Sequence, residues 1–271
     1  MEYRLLYIKL VKVPGIKKAI GLPFIKKVIN SLYVKKLYSK RARRKLSETS
    51  DFLFADRSPK DVFTKIYKEQ MWGRGNDTEF YSGSGSHTEE IVDTYVATVH
   101  KFLLNFPQKP NAVDLGCGDF NVGKKLREFC ENYVACDVVP QLIERNKNFY
   151  KDSGVRFKCI DICKDQLPIG DVVFVRQVFQ HLSNNQIAEV IPKLGIYKYL
   201  VVTEALPFKS KFVSNIDKPI GDGIRCLRGR TESGIVLTLP PFNLQAVSES
   251  VLSEVPVGRI ARIRTIAYKL Q

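Results

Sequence analysis

Val113-Asp114-Leu115-Gly116-Cys117-Gly118-Asp119-Phe120-Asn121 is the stretch of this 271-residue chain that decides its fold. An apolar run ends in an acid, two glycines follow one residue apart, and Val122 to Cys130 can form a helix. That order predicts a first strand, a tight turn and a first helix of a nucleotide-type α/β domain. Glycine at 116 and 118 lets the backbone turn sharply and approach a ligand closely. Asn121 stands where the Gly-x-Gly-x-x-Gly dinucleotide pattern needs its third glycine. That pattern serves a pyrophosphate on a helix N-terminus, and a ligand without one does not need the third glycine.

Downstream, strands and helices alternate. Tyr133 to Cys136 reads as a second strand ending at Asp137, 23 positions after Asp114. An acid at that strand end commonly accepts hydrogen bonds from ribose hydroxyls. Pro140 opens a helix over Gln141 to Tyr150. Val155 to Ile160 forms a third strand before Asp161-Ile162, and Asp171 to Val175 a fourth, apolar enough to be buried on both faces. The fourth runs into Arg176-Gln177-Val178-Phe179-Gln180-His181-Leu182, with a helix from about Asn184. Tyr199 to Thr203 is a fifth strand ending at Glu204, and the period of two over Arg262 to Tyr268 suits a late antiparallel strand. The sum is a mostly parallel sheet with helices on both faces. Ligands of such sheets lie outside the carboxyl ends of the strands, where Asp114, Asp137, Asp161, Arg176 and Glu204 all fall.

Asp114-Leu115-Gly116-Cys117-Gly118 resembles motif I of the class I S-adenosylmethionine-dependent methyltransferases, whose ligand carries no pyrophosphate. Trp72-Gly73, the Ser/Gly loop Tyr81-Ser82-Gly83-Ser84-Gly85-Ser86-His87 and Gln180-His181-Leu182-Ser183 extend the match. Together they are similar to bacterial members associated with surface-polysaccharide (capsule or O-antigen) assembly, over about residues 67–270. The resemblance implies a Rossmann-like α/β fold with a seven-stranded sheet and S-adenosylmethionine as cofactor. It implies donor contacts from Asp114, Gly116, Gly118, Asp137, Val138, Asp161, Ile162, Arg176, Tyr67 and Trp72. The Ser/Gly loop, between helical segments at Lys65 to Trp72 and Glu89 to Leu104, reads either as a lid over the cofactor or as a plain linker.

Methyl transfer from a sulfonium is an in-line displacement, and the protein chiefly supplies approach geometry. A hydroxyl acceptor also needs a base; an anionic acceptor needs cations instead. His181, just after the fourth strand, and His87, on the loop, are the candidate bases, each with a purely structural alternative. Gln180, Arg225 and Arg228 are candidate acceptor contacts; the two arginines could grip a phosphate or uronate, or belong to a solvated loop. The six cysteines include no Cys-x-x-Cys pair, so no metal is expected, and a reducing, cytoplasmic setting is.

Of the net charge of +15, +13 lies in residues 1–46, which hold fourteen Lys or Arg and one acid. Apolar runs there are far shorter than the ~20 residues of a membrane span, and lysines interrupt any signal-peptide core. Two basic amphipathic helices are expected instead, able to lie on an anionic membrane or glycolipid surface, to pack on the rest of the protein, or to bind nucleic acid, since charge alone does not separate anionic lipid from a phosphate backbone. The chain divides into that extension, a helical cap with the Ser/Gly loop over 47–110, and an S-adenosylmethionine-binding domain over 111–271. The function expected is O-methylation of a sugar hydroxyl or a phosphate-type group on a glycan or nucleotide sugar, peripherally at the inner face of the cytoplasmic membrane. Two other readings stay open. One is a methyltransferase for nucleic acid or another small molecule, although no Asn-Pro-Pro-Tyr-type motif follows the fourth strand. The other is a non-enzymatic binder of anionic surfaces with a degenerate cofactor fold.

Overall fold

The computed structural model describes Phe54 and residues 57–75, 80–209, 212–227, 233–259 and 261–271. The basic extension, Arg228 and Arg230 lie outside the described residues. Seven strands form one sheet in the order β3-β2-β1-β4-β5-β7-β6. They are β1 (Ala112–Leu115), β2 (Tyr133–Asp137), β3 (Val155–Cys159), β4 (Val172–Arg176), β5 (Tyr199–Pro207), β6 (Ser248–Val257) and β7 (Ala261–Lys269). The pairs among β1 to β5 are parallel, and β7 runs antiparallel to both β5 and β6.

The middle of the sheet is legible as uninterrupted apolar runs because helices cover both of its faces. Alternate residues feed two cores. Val113, Leu115, Val173, Val175, Leu200 and Val202 point to one, with Val62 and Ile66 of α1 (Pro59–Lys68) and Ile187 and Val190 of α5 (Asn184–Val190). Ala112, Tyr133, Ala135, Val172, Phe174 and Val201 point to the other. There they meet Val92, Tyr95, Val99 and Leu103 of α2 (Glu89–Leu103) and Leu126 of α3 (Gly123–Leu126). Helix α4 (Pro140–Phe149) begins with proline at a first-turn position, and Ser183 and Gln186 form a capping box on α5.

Three differences from the sequence reading have physical causes. The first helix is not continuous to Cys130: α3 ends at Leu126 and a 3₁₀ turn follows over Arg127–Phe129. Arg127 holds that turn by donating to the carbonyls of Cys130 (2.7 Å) and Ser153 (3.2 Å). Strand β5 runs on to Pro207, because β7 pairs with it over nine residues. Glu204 is thus inside β5, yet it lies just past the last β4–β5 partner pair, Arg176 and Thr203. Strand β6 had no sequence signal: it is a sheet edge, mostly exposed, a Ser/Glu/Val mixture with a register shift between Val251 and Ser253. Pro256 is tolerated at such an edge.

Residues 49–271 form one compact unit, so α1, the Ser/Gly loop and α2 share a body with the sheet. Among the described residues no helix is long and apolar enough to cross a membrane. All six cysteines are free thiols.

Candidate active site

The turn after β1 is held from three sides. The N–H groups of Gly116 and Cys117 both donate to the Cys136 carbonyl of β2 at 2.8 Å. Gly116 has φ +80° and Gly118 φ +56°, the left-handed region glycine occupies without strain. Neither has room for a side chain: a Cβ on Gly116 would overlap Val178, and one on Gly118 would overlap Ser82 Oγ. The Gly118 N–H donates to Asp137 Oδ2 at 3.1 Å, and the Val139 N–H donates to Oδ1 at 3.1 Å. Burial pushes the Asp137 carboxyl up to about 6 against the pull of these N–H groups.

Asn146 of α4 completes the turn. It is fully buried, its Nδ2 donates to the Gly118 carbonyl at 2.8 Å, and its Oδ1 accepts from Arg145 at 3.0 Å. Asn146→Ala would orphan that buried carbonyl, at a cost of about 1–3 kcal/mol. We expect its thermal midpoint to fall by roughly 2–12 °C for a unit of this size; an unchanged midpoint in scanning calorimetry would show that the turn does not need this contact.

Over the turn lies the Ser/Gly loop. The Ser82 N–H donates to Asp119 Oδ2 (3.0 Å), and the Asp119 N–H donates back to Ser82 Oγ (2.8 Å). Tyr67 Oη meets the same Ser82 oxygen at 3.0 Å. His87 Nε2 is 2.6 Å from Asp119 Oδ2, and Asn121 Nδ2 donates to the Ser86 carbonyl at 2.8 Å. Arg176, at the end of β4, donates to Ser86 Oγ (3.1 Å) and the Gly85 carbonyl (2.6 Å), with its guanidinium 5.0 Å from the Tyr95 ring centre. Gly85 backs onto Gln177, whose side chain leaves no space for a Cβ. The loop therefore bridges the ends of β1 and β4. Burial pushes the Asp119 carboxyl up, but the hydrogen bond and charge of His87 and the N–H groups of Ser82 and Asn121 outweigh it and hold it below its usual value.

Several expected donor contacts do converge. Tyr67, Trp72 and Val138 share an aromatic-apolar cluster beside Asp137, in which the Tyr67 ring is 5.2 Å from Trp72 and 5.6 Å from Phe80. Asp137 and burial both raise the Tyr67 phenol, burial more. Asp114 faces elsewhere: its Oδ2 accepts from Tyr133 Oη (3.1 Å) against Gly123, and burial pushes its carboxyl up to about 7. Asp161 closes its own turn by accepting from the Cys163 N–H (3.0 Å), and Ile162 is packed into the core. Lys193 clamps that turn through the carbonyls of Ile162, Cys163 and Asp165.

The expected acceptor contacts are placed differently. Arg225 is 3% exposed, and its guanidinium donates to the carbonyls of Ile216, Phe179 and Leu182 and to Asn184 Oδ1. It braces the loop instead of offering donors to a phosphate or uronate. Gln180 is spent likewise: its Oε1 accepts from the Ala205 N–H at 3.1 Å, and its Nε2 reaches His181 Nε2 at 3.3 Å. The other nitrogen of His181 is 3.1 Å from the Gly221 carbonyl. Burial, helped by the charge of Lys218, pushes the imidazole of His181 down to about 3. Both nitrogens of His181 are thus engaged within the protein.

Three residues of the site, Asp119, Gln177 and Asn146, had no assigned role in the sequence reading, and Glu204 had only a place at a strand end. Asp119 was visible as an acid within the glycine turn, but its partners Ser82 and His87 are more than thirty positions away. Gln177 adopts φ +55°, uncommon for a side-chain residue and typical of a constrained site. Asn146 and Glu204 act through buried backbone partners that only the fold brings near. Glu204 accepts from the N–H groups of Val178 (3.2 Å), Phe179 (2.9 Å) and Gln180 (3.2 Å), which holds the turn after β4.

Residues 113–192 match a family model described as a methyltransferase domain. No curated protein matches the chain. Among solved structures, it is similar to a SAM-dependent methyltransferase from Leishmania major (15% identity, 75% of this chain and 82% of that one, TM-score 0.51). It is also similar to N-methyltransferase NodS from Bradyrhizobium japonicum WM9 in complex with S-adenosyl-L-homocysteine (17% identity, 64% and 86%, TM-score 0.44). A third is magnesium protoporphyrin IX methyltransferase from Synechocystis PCC 6803 with bound SAM (12% identity, 85% and 97%, TM-score 0.45). At these identities the likeness shows the fold alone.

Proposed function

We propose, from the premise that residues 113–192 are a methyltransferase domain of the S-adenosylmethionine-dependent class I architecture, that the protein methylates a neutral sugar hydroxyl on a glycan or its nucleotide-sugar precursor. The observation that carries the donor half is the left-handed Gly116–Gly118 turn bonded to the buried Asp137 carboxylate. The residues fit S-adenosylmethionine. Asp137 would accept from the ribose diol, Val138, Tyr67 and Trp72 would flank the nucleoside, and Gly116 and Gly118 give the close backbone approach. Arg176 Nε and Gln177 Nε2, buried at the end of β4 without a partner, are donors waiting for an acceptor. The bound donor supplies an electrophilic methyl on a sulfonium, and this chain's residues hold and orient the reactants and exclude water.

The acceptor half rests on charge. Arg225 is committed to protein oxygens, and two of the Arg176 nitrogens are tied to the loop. Lys218 is buried against the carbonyls of His181 and Pro219. Among the described residues this leaves little to neutralise a phosphate, whereas the half-buried rings of Phe63 and Tyr81 suit the apolar face of a sugar. The likeness of the Ser/Gly loop and of Gln180-His181-Leu182-Ser183 to enzymes of surface-polysaccharide assembly supports a glycan setting.

Calorimetric titration with S-adenosylhomocysteine tests the donor; absence of binding would end the enzymatic reading. Labelled methyl transfer, tried singly on neutral methyl glycosides, sugar phosphates, uronates and RNA, tests the acceptor. We expect label in a neutral glycoside. Label confined to the phosphates and uronates, or to RNA, would overturn the acceptor class and leave the donor intact.

A further inference from the structure

We infer that His87, on the Ser/Gly loop, is the base that takes the acceptor proton, and that Asp119 of the glycine turn is its positioning residue. The inference rests on the hydroxyl-acceptor reading above. His87 Nε2 lies 2.6 Å from Asp119 Oδ2, an ion-pair distance, and the Asp119 carboxylate is 6% exposed while the His87 side chain is 29% exposed. A buried carboxylate on one ring nitrogen fixes the neutral tautomer as Nε2–H and leaves the lone pair on Nδ1. Nδ1 has no hydrogen-bond partner among the described residues. His181, by contrast, has a partner on each nitrogen.

Position agrees with the arrangement. His87 follows Ser86, which accepts from Arg176 at the end of β4, and bonds to Asp119, which follows the turn at the end of β1. In an open parallel sheet the ligand lies outside those strand ends. The ring is backed by Tyr81 at 4.5 Å. The charged or titratable groups around it are Asp119, Tyr81 and, through Ser86 and Gly85, Arg176.

The acceptor hydroxyl oxygen attacks the methyl carbon, a C–O bond forms, the C–S bond breaks, and its electron pair stays on sulfur. The hydroxyl proton passes to His87 Nδ1. The resulting imidazolium faces the Asp119 carboxylate and returns the proton to water from its exposed side.

Two measurements test this. The first needs no acceptor: nitrogen-15 spectra of the complex with S-adenosylhomocysteine across a pH series. The expected result is a neutral His87 ring in the Nε2–H tautomer, lost in Asp119→Asn. An Nδ1–H tautomer overturns the inference. The second is turnover of the best neutral methyl glycoside. His87→Asn should lower kcat by about 10²–10⁴-fold, the usual worth of a general base, and remove the acidic limb of the pH profile, while S-adenosylhomocysteine affinity stays within about twofold. Loss of affinity in parallel with turnover would make His87 a donor-binding residue and overturn its role as base. Failure of the wild-type protein to bind S-adenosylhomocysteine would instead sink the donor reading on which the inference stands.

Discussion

Asp137→Ala is expected to weaken S-adenosylhomocysteine binding by about a hundredfold or more. Its carboxylate accepts from the Gly118 and Val139 N–H groups and so shapes the turn; in the proposed donor site its remaining lone pairs would accept from a ribose. A hydrogen bond to a charged group contributes about 1.5–3 kcal/mol. Two such bonds to a ribose diol would come to about 3–6 kcal/mol, more than the roughly 2.8 kcal/mol of two decades in affinity. Asp137→Asn keeps the shape and one acceptor oxygen, so its loss should be smaller. Because burial pushes the Asp137 carboxyl up to about 6, wild-type affinity should decline as pH falls through that value, when the carboxyl gains a proton and loses acceptor capacity. Stability runs in the opposite sense. A carboxyl with a raised folded-state pKa favours the protonated form in the fold, so its contribution to stability decreases as pH rises from about 4 to about 6. Calorimetric titration of both variants between those limits decides the matter; an Asp137→Ala affinity within about threefold of wild type would remove Asp137 from the donor site.

What could be read in the sequence follows the physics of each residue. The Val113–Asn121 stretch was legible because a central parallel strand must be apolar on both faces and a left-handed turn favours glycine. Asp137 was legible because it ends such a strand. Pairing across the sheet is less local: β6 is an exposed edge with no apolar run, and β5 extends past Thr203 only because β7 is there to pair with it. Sequence put His181 ahead of His87 by its place after the fourth strand, since it shows residue type and position and not partners. The fold engages both nitrogens of His181, while a carboxylate more than thirty positions away pairs with one nitrogen of His87. The arginines show the same limit. A charged loop after β5 looks like a solvated or ligand-gripping surface, yet Arg225 is inside, capping carbonyls of the turn after β4.

Glu204 is where that buried network is most exposed to a single change. Its two oxygens accept three consecutive backbone N–H groups, those of Val178, Phe179 and Gln180. Glu204→Ala removes all three acceptors at once. Each orphaned N–H costs about 1–3 kcal/mol, so a loss of at least about 3 kcal/mol is expected. For a unit of this size that is a fall of roughly 6–12 °C in thermal midpoint. The turn carrying Val178 would loosen with it, and since Val178 packs on Gly116, donor affinity should fall as well. Burial pushes the Glu204 carboxyl up to about 8 from an ordinary 4.5. Between those values the folded protein holds a proton that the unfolded chain has released, so wild-type stability should decline as pH rises through that window. The alanine variant lacks this slope. The gap between the two midpoints should therefore be widest at acidic pH and narrow toward about pH 8, whereas a gap that widens with pH would mean that the ionised carboxylate is the form the fold prefers. Glu204→Gln, with one acceptor oxygen and an amide that cannot accept from Gln180, should fall between them.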